Sequence, residues 1–350
     1  MKKIISIILL VFVLAISLTS CDVLLDTVTG LIDPNKQEYN NALKLIEEKK
    51  YEEAYDALKK LEGYEPAEKE LENFYSVPVY FDTTVNYVSY LVYDIEYNEK
   101  ELISTYTIIS SGQKLVMEFS YDSNNNATNC IIKDGLGNTT NTVEQTFDSK
   151  NQMTSSVAKD ASGKVTESIT YTYDEKGNLK NIVSTNGSGT KTTTGYTYDS
   201  DGNVTKEVVA SGLSVVTTDY TYNDDGKITT KVMKAMYGSV EAKFENYTYV
   251  YDEEGKLEKV TIRTSSGTTI RTYTYNDQNQ CTKLVISSSI GNETIYYTYD
   301  KYGNVVEMTE NINYNTISIE VEWKLIYFKG ELPQQTQDIM KDIGDAFLLK

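Results

Sequence analysis

The apolar positions of this chain change period once. Between Asn35 and Tyr75, Tyr39, Ala42, Leu43 and Ile46 recur at three-to-four spacing, and so do Tyr51, Ala54, Tyr55, Leu58 and Leu61, with Glu and Lys between them. Such stripes predict two amphipathic helices. Gly63 and Pro66 interrupt the pattern before a third short stretch at Leu71, Phe74 and Tyr75, so residues 35–76 read as a helical hairpin. From about Tyr80 the period becomes two and Thr, Val, Ile and Tyr dominate, which predicts strands over residues 80–328. A last helix is predicted over residues 331–350.

Within the strand region one unit is copied. An aromatic-Thr-aromatic-Asp-x-x-Gly-Asn-apolar string runs from Tyr171 to Leu179 and again from Tyr196 to Val204. Anchored on its second aromatic, it recurs at Tyr121, Phe147, Tyr173, Tyr198, Tyr222, Tyr251, Tyr275 and Tyr299, at spacings of 24 to 29 residues. A degenerate copy precedes these at Tyr97, and Trp323 stands 24 residues after Tyr299, suited to a closing strand.

The columns of this alignment have separate physical roles. One residue after the anchor stand Asp122, Asp148, Asp174, Asp199, Asn223, Asp252, Asn276 and Asp300, short acceptors that start a turn by binding backbone N–H groups. Four after it stand Asn125, Asn151, Gly177, Gly202, Gly226, Gly255, Asn279 and Gly303, the residue types that tolerate positive φ in a tight hairpin loop. Six after it the column is apolar, and ten after it every residue is Val, Ile or Thr. A second Gly-bearing turn, as at Gly137 or Gly212, closes each unit. The fold class is therefore mainly β: an antiparallel meander of about nine β-hairpin repeats, expected to form an extended, coiled sheet with a helical hairpin before it and a helix after it.

The Tyr-x-Tyr-Asp-x-x-Gly-x-apolar string at these intervals resembles the YD repeat of Rhs proteins, wall-associated bacterial proteins and teneurins. The resemblance spans residues 97–323. It implies hairpins that coil into spiral sheets or shells, some linked to carbohydrate binding and some enclosing a toxic C-terminal domain. Only 27 residues follow Trp323, which argues against such cargo here. The run Tyr51-Glu52-Glu53-Ala54 with Leu58 and Leu61 resembles the second helix of a tetratricopeptide hairpin, with Lys49-Lys50 where that family usually carries Gly.

Lys2 and Lys3, the apolar run Ile4 to Leu18 and the ending Leu18-Thr19-Ser20-Cys21 describe a secretory signal over residues 1–20. The ending resembles a bacterial lipobox, which implies that Cys21 is acylated and that residues 21–34 are a lipidated tether. The expected location is extracytoplasmic, on a membrane-anchored lipoprotein at the cell surface or periplasmic side. Cys130 and Cys281, 151 positions apart, read as small hydrophobes with free thiols.

Composition narrows function further. The chain carries 33 Lys+Arg, 51 Asp+Glu and no His, a net charge of -18. That field disfavours nucleic acid, and the missing imidazole removes the commonest general base and many zinc sites. The expectation is no enzyme, no cofactor and no metal. The acidic turns Asp199 to Gly202, Asn223 to Gly226 and Asp252 to Gly255 offer too few oxygens each for Ca²⁺. Lys206 and Glu207, adjacent in one strand, put charge on both faces and exclude a membrane-spanning barrel. The remaining candidate is an aromatic ladder: Tyr171, Tyr196, Tyr220, Tyr249, Tyr273 and Tyr297 lie two before their anchors and share a face with them. The ladder either packs as core or offers a glycan or a surface protein a row of rings and hydroxyls. The expected function is adhesion by binding, with an envelope spacer and a component of an Rhs-type toxin or shell system as alternatives.

Overall fold

The computed structural model describes residues 34–85, 88–110, 112–312 and 315–346. They fall into two compact units: residues 34–77 with Lys324–Leu332, and Pro78–Trp323 with the chain from Pro333 onward. The signal and nearly all of the tether, Cys21 included, lie outside the described residues.

The first unit is helical. Helix α1 (Pro34–Glu47), α2 (Tyr51–Lys59) and α3 (Glu65–Leu71) bury Ala42, Leu58, Leu61 and Ala67 against one another, with Tyr39, Tyr64 and Phe74 packed around them. Pro66 stands in the first turn of α3, where its missing N–H is not needed. Lys49 turns the chain between α1 and α2 at φ +57°, the geometry a glycine would take without strain. The chain leaves α3 and is already extended at Phe74, whose ring lies edge-on to Tyr55 and Tyr327 at 5.6 and 5.3 Å. The helical pattern thus ends before residue 76, because the third stripe belongs partly to a strand.

The second unit is a sheet of twenty strands. They are β1 (Phe74–Val85), β2 (Val88–Tyr97), β3 (Ile103–Ser110), β4 (Gln113–Tyr121), β5 (Ala127–Asp134), β6 (Thr139–Phe147) and β7 (Met153–Asp160). Next come β8 (Val165–Tyr173), β9 (Leu179–Asn186), β10 (Lys191–Tyr198), β11 (Val204–Ser211), β12 (Ser214–Tyr222), β13 (Ile228–Tyr237) and β14 (Val240–Tyr251). The last are β15 (Leu257–Thr264), β16 (Gly267–Tyr275), β17 (Cys281–Ser288), β18 (Gly291–Tyr299), β19 (Val305–Ile312) and β20 (Asn315–Tyr327). Each strand pairs with the next, and β1 pairs with both β2 and β20. The sheet is therefore a closed barrel, with a perimeter of roughly 100 Å measured across the strands.

Closure corrects the expectation of an extended, coiled sheet. The physical cause is a β-bulge at the same place in every unit. The anchor pairs with the residue six after it, but the residue before the anchor pairs with the one eight after it, as in Tyr275↔Cys281 and Thr274↔Lys283. The same shift occurs at nine anchors, from Tyr97 to Tyr299. A bulge bends and twists its strand, so nine in phase bend the sheet one way until its first and last strands meet. Meeting removes both sheet edges and their unpaired backbone groups.

The bulge also sets which residues face inward. Positions nine and eleven after the anchor, not ten, share the anchor's face. Phe81, Ile95, Ile103, Val260, Leu284, Ile295 and Met308 are buried on that face, joined by Ile339 of helix α4 (Gln334–Ala346). The dense part of the interior thus lies along β1–β3 and β14–β20, with α4 against it. Along β5–β13 the described residues include no buried apolar side chain; Ser156 and Thr218 are the buried ones. Outward positions carry Thr, Val and ion pairs, Lys133–Glu118 at 2.6 Å, Lys159–Glu144 at 2.7 Å and Lys206–Asp219 at 3.4 Å. Such a belt suits water, not acyl chains. No helix of the described residues is long and apolar enough to cross a membrane.

Candidate functional site

The turn residues are wholly engaged by the backbone around them. Asp122 Oδ1 accepts the N–H groups of Asn124 and Asn126 at 2.8 and 2.9 Å, and Asp148 those of Lys150 and Gln152 at 2.8 and 2.9 Å. Asp174, Asp252 and Asp300 accept from Asn178, Lys256 and Asn304 in the same way. The side-chain amides of Asn126 and Asn203 bind Asp122 and Asp199 and, with these N–H groups, hold the two carboxyls below their ordinary range. The following column is left-handed throughout: φ is +92° at Gly177, +89° at Gly202, +74° at Gly226, +78° at Gly255 and +89° at Gly303, and +61° to +66° at Asn125, Asn151 and Asn279. A recess of about 650 Å³ lies between two adjoining turns, lined by Asp225, Lys227, Tyr251, Asp252, Glu253 and Glu254. Lys227 fills part of it, with Nζ 2.7 Å from the Gly255 carbonyl. No cluster among the described residues has the carboxylates to hold a metal.

The anchor tyrosines have a structural task that the sequence reading missed. Each hydroxyl donates to a backbone carbonyl of the preceding hairpin: Tyr121 to Ile103 at 2.6 Å, Tyr198 to Leu179 at 2.6 Å, Tyr222 to Val204 at 2.7 Å and Tyr299 to Cys281 at 2.6 Å. The receiving residue sits beside the bulge, where the ladder is locally disrupted. Trp323 performs the same service with its indole N–H, 2.9 Å from the Val305 carbonyl. The signal was available in the anchor column, which holds seven Tyr and one Phe.

The ladder two residues before the anchors divides between the two walls. Tyr273 and Tyr297 are buried in the dense wall, whereas Tyr171, Tyr196, Tyr220 and Tyr249 are half-buried on the inner face of the sparse one and its margin. Because each unit steps along the barrel, each of these rings heads a row of directly opposed residues. One row runs Tyr196, Glu207, Thr218, Met233, Glu245; the next runs Tyr220, Lys231, Tyr247, Ile262; a third runs Tyr249, Val260, Arg271, Ile286. Glu207, Lys231, Glu245, Tyr247 and Arg271 were not among the sequence candidates. Counting by twos from the apolar column places position ten inward, and the bulge reverses that parity.

The chemistry of this wall is that of hydrogen-bonding aromatics. Burial first, then the carboxylate of Glu207, pushes Tyr196 up to about 12. Burial and a 2.7 Å hydrogen bond donated to Glu245 do the same for Tyr247, also about 12. Burial raises Tyr171, Tyr220 and Tyr249 as well, and the charge of Asp338 on α4 adds to the effect at Tyr171. All five phenols stay protonated near neutral pH. Cys130 and Cys281 are free, the first pushed up to about 11 by burial, the second also raised. They lie on β5 and β17, eight strands apart the shorter way round the ring, which leaves them out of bonding range even with the sheet closed.

No protein-family model matches the chain, and no curated protein does. Among solved structures it is similar to a chain of the Photorhabdus luminescens Tc holotoxin pore, at 15% identity and a TM-score of 0.35 over 65% of this chain and 15% of that one. It is similar to a porin-like protein from Bacteroides uniformis at 12% identity and a TM-score of 0.32, over 71% of this chain and 98% of the other. A TcdB2-TccC3 structure shares 13% identity at a TM-score of 0.31, over 71% of this chain and 16% of that one.

Proposed function

We propose that this chain is a non-catalytic, lipid-anchored envelope protein that holds a glycan along the inner aromatic wall of its barrel. The supporting observation is the set Tyr171, Tyr196, Tyr220 and Tyr249, half-buried on one face, with Glu207 opposite Tyr196 and Lys231 opposite Tyr220. Flat rings accept the C–H face of a sugar, while hydroxyls and carboxylates bind its OH groups. Its phenols are held protonated, and burial raises the thiols of half-buried Cys130 and buried Cys281, so neither group is set up as a nucleophile near neutral pH.

Screening the purified protein against a glycan array is expected to give binders that Tyr196→Ala/Tyr220→Ala loses, at about 1 kcal/mol per ring. If nothing binds, or the double variant binds as well as the parent, the wall is structural and the spacer reading takes over. A shell that encloses a segment of chain is a second reading, favoured by the place of α4 against the inner face. The anchor has its own test. Cys21→Ala is expected to abolish palmitate labelling and membrane retention, and a variant that still labels would refute acylation at Cys21.

A further inference from the structure

The chain has two arginines. Arg263 is exposed, while Arg271 on β16 faces inward, opposite Val260 and Ile286. Its neighbours are phenols. Tyr273 bonds it, and although burial raises Tyr247, Tyr249 and Tyr273, the guanidinium charge draws each partly back. Arg271 enters none of the ion pairs of the described residues, and its Nε is buried with no hydrogen-bond partner. Lys231 stands one row away, its Nζ 5.2 Å from the centre of the Tyr247 ring, also without a salt bridge. The nearby Glu245 is bonded to Lys243 at 2.8 Å and to the Tyr247 hydroxyl, and it is reached by the charge of Lys231 but not by that of Arg271.

A cation partly withdrawn from water without a counter-ion is costly, and the cost falls when a ligand brings the anion. We infer that Arg271, supported by Lys231 and the hydroxyl of Tyr249, is a subsite for one carboxylate, that of a uronic acid in the glycan path. This rests on the inner wall being a glycan surface, and it names the class of glycan. The planar fork of a guanidinium matches a carboxylate in two parallel hydrogen bonds. A net charge of -18 repels a dense polyanion at long range, so the ligand is a mostly neutral chain carrying isolated acids.

The test uses the whole protein and three probes: sodium glucuronate, xylotriose bearing one glucuronate, and that oligosaccharide with its carboxyl methyl-esterified. Calorimetry is expected to give about tenfold tighter binding of the acid than of the ester. Arg271→Met should erase that preference and melt no lower than the parent, since it removes an uncompensated charge. Arg271→Lys should keep part of the preference. Equal binding of acid and ester by the parent, or a preference that survives Arg271→Met, overturns the subsite while leaving the wall reading intact. Glucuronate that protects the parent against melting but not Arg271→Met, with no oligosaccharide bound, keeps the subsite and removes the wall. No response to any probe removes both.

Discussion

Replacing Trp323 by Ala is expected to cost about 3 kcal/mol and to loosen the barrel at one place only. The ring packs on the main core cluster, and its N–H satisfies the Val305 carbonyl, so truncation removes apolar contact and strands an acceptor. Its strand, β20, pairs with β19 on one side and β1 on the other, so it is half of the seam that closes the ring. A denaturant melt should show the loss. Hydrogen exchange should show its location, with amides of β1 and β20 exchanging faster while those of β9 and β10 keep their protection. Uniform acceleration around the barrel would mean that closure is not held at this seam.

The second large effect compares one repeat position on the two walls. Ile295 and Ile169 both lie four residues before an anchor and both face inward, yet Ile295 is 0% exposed and Ile169 is half-buried. Ile295→Ala should cost about 2–5 kcal/mol, the range for a filled core site, and Ile169→Ala about 1 kcal/mol or less, because the sparse wall has little packed against it. Equal losses would show that the two walls are packed alike, and the half-open inner face would have no basis.

How far the sequence carried these conclusions depends on the range of the interaction. The turn columns were legible because an Asx acceptor and a left-handed residue act within five positions, and Asp122 with Asn125 or Asp174 with Gly177 shows the whole device in one string. The shared face of Tyr171, Tyr196, Tyr220 and Tyr249 was legible for the same reason, being two residues from each anchor. The bulge was not, because its signal is a backbone pairing and no residue type marks it. With the bulge hidden, Lys231 at nine after its anchor was assigned no role, although it faces Tyr247. Closure was beyond reach altogether: the pairing of β1 with β20 joins residues more than 200 positions apart, and the copies between them look the same in a ring as in a ribbon. Arg271 carries no mark in the sequence, where other units have Met, Val, Ile, Thr or Tyr at its position, and only its neighbours reveal that its charge is unmatched.

The ring of strands also limits how such a gene can change. An open array gains or loses a copy at either end with little consequence for the rest, because each unit leans only on its neighbours. Here an added hairpin would widen the perimeter by two strands, roughly 10 Å, and every inner row would have to meet β1 and α4 in a new register. Duplication and deletion of units are thus penalised across the whole barrel, whereas substitution at an inward column alters one spot on the wall and leaves the ring intact. Descendants of this chain should keep their number of hairpins and differ in residues such as those at Thr194, Thr218, Tyr247 and Arg271, four before successive anchors, where a new ligand preference needs no new strand.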